Sequence, residues 1–137
     1  FVTLIAARLD VEARQLSHAS AGHPPGFVLD VHGKIRDELK STGLPLGVSE
    51  ENPFDPEVSI SLLPGDIVVF STDGIDETRN TDGEEFGRKR LLETVRANQQ
   101  QPAAAIITAI RTAVRNFAGD SPQKDDITAV IIKVLAA

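Results

Sequence analysis

Two short segments place carboxylates where chemistry could use them. Ser71-Thr72-Asp73-Gly74 follows the apolar run 67–70, and Asp125-Asp126 precedes the apolar run 127–135. An Asp at the carboxyl end of a buried strand, followed by Gly, can project its carboxylate off the sheet edge while the backbone turns sharply. Two adjacent acids at the mouth of a strand repel each other unless something positive lies nearby. If the two strand ends meet, they form an all-oxygen site, which suits Mg2+ or Mn2+ and not zinc. Plainer readings remain open: Asp73-Gly74 as a turn, and Asp125-Asp126 as a helix-to-strand loop. Of the histidines, His23 in Ala21-Gly22-His23-Pro24-Pro25 sits in a constrained turn, as a general acid, a ligand or a structural turn residue. His18 and His32 read as ordinary surface positions. No Ser-His-acid order and no phosphate-cradling Gly-rich loop can be assembled, because Gly43-Leu44-Pro45-Leu46-Gly47 is followed by no lysine. A side-chain nucleophile is not expected.

Strands and helices must carry these segments. The stretches 1–9, 15–21 and 26–31 are punctuated like antiparallel strands and predict a three-stranded meander. Val58, Ile60 and Leu62 alternate with Ser59 and Ser61, the period of a half-buried strand. Pro64-Gly65-Asp66 then predicts a tight turn into the doubly apolar run 67–70, so these two runs should form a hairpin. Phe86, Leu91, Leu92 and Val95 predict a helix over 87–98. Ile106, Ile110, Ala113, Val114 and Phe117 predict a second over 102–118, closed by Gly119. Both should lie against one sheet. Thr128-Ala129-Val130-Ile131-Ile132 reads as a central strand returning to the earlier ones, which makes the chain one α+β domain over 1–137.

Composition narrows the partners. A chain of 137 residues with 41% hydrophobic and 25% charged residues is long enough for a real core. Cysteine is absent, which rules out disulfides and thiol chemistry and permits a cytoplasmic origin. The net charge of −6, with no basic run, lacks the phosphate-neutralising patch of a nucleic-acid binder. No apolar run approaches the roughly 20 residues that span a bilayer, so no membrane partner is expected for this segment. Methionine is absent and Phe1-Val2-Thr3-Leu4-Ile5 reads as the middle of a strand, which suggests a fragment.

The ordered set Ala21-Gly22-His23-Pro24-Pro25, Gly43-Leu44-Pro45-Leu46-Gly47, Leu63-Pro64-Gly65-Asp66, Ser71-Thr72-Asp73-Gly74-Ile75-Asp76-Glu77-Thr78-Arg79-Asn80, Gly83-Glu84-Glu85-Phe86-Gly87 and Asp125-Asp126-Ile127-Thr128 resembles a known family. It is the stage II sporulation protein E type of bacterial metal-dependent serine/threonine phosphatase, a branch of the PP2C-like superfamily. The resemblance implies a sandwich of two antiparallel β-sheets flanked by α-helices, four layers in all. It also implies two Mn2+ or Mg2+ ions that hold the water attacking a phosphoserine or phosphothreonine. Asp73 matches the metal ligand of the Ser/Thr-Asp-Gly motif and Asp125 that of the final Asp-Asp motif, with Asp126 the weaker match; Gly74 and His23 would be adjacent to the site. The implied substrate is a bacterial signalling phosphoprotein such as an anti-sigma-factor antagonist.

The family's opening Gly-Asp-x-x-Asp segment and its Gly-His-Gly loop have no counterpart here. Asp10, in Arg8-Leu9-Asp10-Val11, matches a strand-to-turn feature and not the bridging ligand. The chain therefore corresponds to the C-terminal portion of the domain, with the first third to two-fifths missing. Asp73 and Asp125 alone leave an ion short of anionic ligands, so weak metal binding and little turnover are expected from this polypeptide by itself. Alternatives are a non-catalytic PP2C-like interaction domain or an inactive truncated product. A homodimer would follow if a second copy covers the face left by the missing part.

Overall fold

A computed structural model describes residues 1–55 and 58–136, so the last residue of the expected 1–137 domain lies outside the described residues. The elements run β1 (Leu4–Asp10), β2 (Gln15–Ala21), β3 (Gly26–Leu29), β4 (Ile35–Leu39), β5 (Val58–Ser61), β6 (Ile67–Ser71), α1 (Asp73–Asp76), α2 (Gly87–Ala97), α3 (Ala103–Ala118) and β7 (Ala129–Lys133). They form a three-stranded sheet ordered β1-β2-β5 and a four-stranded sheet ordered β4-β3-β6-β7, with every strand pair antiparallel. The α+β sandwich expected from the sequence is present, and the two long helices begin and end within about a residue of their expected bounds.

The strands alternate between two cores. Ile67 and Val69 of β6 point to one side, with Phe27 and Leu29 of β3, and meet Leu91, Val95, Ile106, Ile110 and Val114 of the helices. Val68 and Phe70 point the other way, with Val28, and meet Leu16 and Leu62 between the sheets. This period of two along a doubly covered strand explains why 67–70 carries no polar residue.

Three expectations about pairing fail. The predicted meander ends after two strands, because β3 leaves β2 and joins the other sheet. All four residues of β3 are buried, whereas β2 exposes Gln15 and Ala19. A strand apolar on both faces needs cover on both faces, and Pro24-Pro25, which lack amide hydrogens, interrupt any ladder back to β2. The predicted hairpin of β5 and β6 is absent too. β5 pairs with β2, and the chain turns a corner at 62–66 into the other sheet. Asp66, 1% exposed, accepts the Leu63 amide at 2.7 Å and pairs with Arg36 Nη1 at 2.9 Å, while Arg36 Nη2 donates to the Ser61 carbonyl at 2.6 Å. This Arg comes from β4, a strand whose mixed sequence Ile35-Arg36-Asp37-Glu38-Leu39 offered no clear apolar pattern. Finally, β7 is an edge strand among the described residues rather than a central one, and its Val130 is 49% exposed.

Candidate metal centre and adjoining cleft

Thr72, between β6 and α1, holds the two carboxylate-bearing segments together. Its amide donates to the Thr128 carbonyl at 3.0 Å, and its hydroxyl accepts the Thr128 amide at 3.1 Å. These bonds extend the β6–β7 ladder beyond Ser71↔Ala129 and bring Asp73 and the 125–126 segment to one end of the sheet. Gly74 makes the approach possible. An ideal Cβ built on it would lie 2.1 Å from the Asp126 carbonyl oxygen and 3.7 Å from the Asp125 Cβ. The chain then makes the single turn α1, closed by Thr78 Oγ1 donating to the Gly74 carbonyl at 2.7 Å. Asp73, Asp125 and Asp126 are all exposed, and Asp125 Oδ1 accepts the Asp126 amide at 2.7 Å. The structure thus brings together Asp73, Gly74, Asp125 and Asp126.

Asp76 is a member of this neighbourhood that sequence reasoning passed over. One of its oxygens is buried without a hydrogen-bond partner, and the other lies 3.5 Å from Arg88. Burial pushes its carboxyl above the ordinary 3.8; Arg88 opposes the shift, while the negative charges of Asp73 and Glu85 add to it. Its spacing of three residues from Asp73, within one helical turn, was the available signal.

His23 stands differently. Its Nδ1 donates to the carbonyl of Pro24 at 2.8 Å, and it does not line the cavity beside Asp125. His18 is not a surface residue: it is 3% exposed, and its Nε2 donates to the Lys40 carbonyl at 3.0 Å. A buried imidazole that satisfies a carbonyl just past the end of β4 has a structural use, and nothing in its local sequence signalled it. His32 is exposed, as expected.

The carboxylates of Asp73, Asp125 and Asp126 fit a hard divalent cation in donor chemistry. They fall short in number: no group of three or more His, Cys, Asp or Glu side chains that could hold a metal ion occurs among the described residues. This chain offers part of a coordination shell. Next to Asp125, a cavity of about 710 Å³ opens between the last turn of α3, the 119–125 loop and the segment after α1. Gly74, Glu77, Arg79, Arg115, Lys124 and Asp125 are among its walls.

Two antiparallel sheets packed face to face, helices on one of them, and acids at adjoining strand ends define the PP2C-like class of phosphatase domain. The sequence matches the family described as Stage II sporulation protein E (SpoIIE) over residues 1–135, and the chain belongs to that family. It is similar to Protein IcfG of Synechocystis sp., with 35% identity over 132 residues, 96% of this chain and 20% of the relative. It is also similar to Phosphoserine phosphatase RsbU of Bacillus subtilis, with 27% identity over 135 residues, 97% of this chain and 39% of the relative. Among solved structures, the SiaA-PP2C domain of Pseudomonas aeruginosa superposes with a TM-score of 0.77 at 26% identity, over 94% of this chain and 50% of that one. The chain spans from about a fifth to two-fifths of the curated relatives' length. No helix among the described residues is long and apolar enough to cross a membrane.

Proposed function

We propose that the protein is a metal-dependent phosphatase acting on phosphoserine or phosphothreonine in a bacterial signalling protein, of the anti-sigma-factor antagonist kind. The observation that carries this reading is the Thr72–Thr128 clamp, which sets Asp73 and the 125–126 segment at one end of the sheet. A binding module has no need of acids at two converging strand ends, since their mutual repulsion is unfavourable without a cation. Asp73 and Asp125, with Asp126 as the lesser candidate, would hold Mn2+ or Mg2+ together with ligands from outside the described residues. Divalent ions in such a site lower the pKa of a bound water and clamp the attacking and leaving oxygens of phosphoryl transfer. The chain's own contribution is placement: the Thr72–Thr128 hydrogen bonds hold the two segments side by side, and Gly74 lets them touch.

The test is Mn2+-dependent hydrolysis of 4-nitrophenyl phosphate by the full-length protein and its Asp73→Asn variant. The variant should lose at least about a hundredfold in rate, comparable to other losses of transition-state charge stabilisation. Equal rates, or a wild-type rate indifferent to the metal, would overturn the reading. A second reading, a non-catalytic interaction domain, is favoured by the lack of a third acidic or histidine ligand among the described residues. It predicts no metal-dependent rate in either protein.

A further inference from the structure

The cavity of about 710 Å³ shares Gly74 and Asp125 with the candidate metal centre. Its volume falls within the range of roughly 300–1,000 Å³ over which proteins enclose whole ligands. A single phosphoryl group would leave most of it empty. A polypeptide whose phosphorylated side chain reached Asp73 and Asp125 would lay its neighbouring residues along this cavity.

The charges on its walls are unevenly committed. Arg79 is tied to Glu85 at 2.9 Å. Arg115, in the last turn of α3, and Lys124, next to Asp125, are exposed and have no side-chain hydrogen bond or ion pair among the described residues. They line the same cavity as Glu77 and Asp125, and with Asp125 engaged by a cation the walls would keep two free positive charges against the one negative charge of Glu77. Two uncommitted cations in the wall of a peptide-sized cavity favour carboxylates, and do so more through specificity and encounter than through raw affinity.

Resting on the phosphatase reading, we propose that this cavity is the docking cleft for the segment of the phosphoprotein adjoining its phosphorylated residue, and that Arg115 and Lys124 select an acidic flank. The experiment uses the full-length protein in Mn2+ and two fluorescently labelled phosphoserine peptides, one with Asp and Glu beside the phosphoserine and one with Ala and Ser there. Binding is followed by fluorescence anisotropy. The wild type should bind the acidic peptide more tightly, with a preference that shrinks as salt rises. Arg115→Ala/Lys124→Ala should weaken the acidic peptide about three- to tenfold, as expected for two part-exposed ion pairs, and leave the neutral one in place. Lys124→Glu should invert the preference. Equal wild-type binding of the two peptides, an unchanged preference in the double variant, or an equal loss for both peptides would each overturn the proposal. Hydrolysis of 4-nitrophenyl phosphate by the same wild-type sample reports separately on the underlying reading. Turnover without flank preference rejects the cleft alone, and flank preference without turnover rejects the phosphatase reading and leaves the cleft standing.

Discussion

Replacing Gly74 with Ala isolates the contact that joins the two halves of the site. Gly74 does not have a positive φ, so an Ala suffers no backbone strain there, and within a helical turn it would be favoured by about 1 kcal/mol. The penalty arises from contact. The new Cβ would lie 2.1 Å from the Asp126 carbonyl oxygen, where real Cβ atoms keep at least 3.0 Å, so the 125–126 segment must retreat by at least 0.9 Å (3.0 − 2.1). A shift of that size stretches both Thr72–Thr128 hydrogen bonds, now at 3.0 and 3.1 Å. Overpacking of about 1–3 kcal/mol and about 1 kcal/mol for a weakened hydrogen bond, less the helical gain, leave a net loss of roughly 1–3 kcal/mol. At about 3–5 °C per kcal/mol for a chain of this size, the melting temperature should fall by roughly 3–15 °C. In the full-length protein, Mn2+-dependent turnover should fall by up to about a hundredfold, because misplacement near 1 Å is enough for that. Thermal melts followed by circular dichroism, alongside the 4-nitrophenyl phosphate assay, read both effects. A variant that melts with the wild type and keeps its rate would show that the segment gives way freely, and the reasoning about this contact would be wrong.

Two further expectations concern stability. Asp66→Ala removes a carboxylate that is 1% exposed and leaves Arg36, 25% exposed, without it; urea unfolding should show a loss of about 3 kcal/mol at unchanged m-value, while Arg36→Met/Asp66→Leu should recover part of it. Asp76→Asn should raise the melting temperature of the metal-free protein at pH 7. The folded-state pKa of Asp76 lies above its ordinary 3.8, so the fold favours the protonated acid. That contribution is complete below 3.8 and is lost as pH rises through the raised value, so the variant's advantage should vanish as melts are taken down to pH 3.8. An advantage independent of pH would show that the effect is not electrostatic.

The local patterns proved more legible than the pairings. Ile106, Ile110 and Val114 announced α3 because helix periodicity is a property of adjacent residues, and the doubly apolar run 67–70 announced a covered strand. Which strand lies beside which depends on contacts far apart in sequence. The Arg36–Asp66 pair joins β4 to the corner before β6, thirty residues on in the chain (66 − 36), and neither residue's neighbours reveal it. His18 misled for the same reason, since its partner is a carbonyl on residue 40. At the site, Asp73 and Asp125 stood out by their position at strand ends. Asp76 did not, because its burial depends on Arg88 and on the fold around it. Arg115 carried no signal of its own in the sequence, since a cation in the last turn of a helix such as α3 is accounted for by the helix dipole.

The two carboxylate mounts are built on unequal supports. Asp73 follows β6, which has strands on either side and apolar cover on both faces, so it can move only if the centre of the sheet moves with it. Asp125 and Asp126 precede β7, paired on one side only among the described residues, and follow an exposed loop. Local opening requires the least free energy where backbone is exposed and neighbours are few. The site therefore resembles a vice with one fixed jaw and one adjustable jaw. Whatever settles against the β7 edge or the 119–125 loop adjusts the gap without disturbing the jaw that carries Asp73.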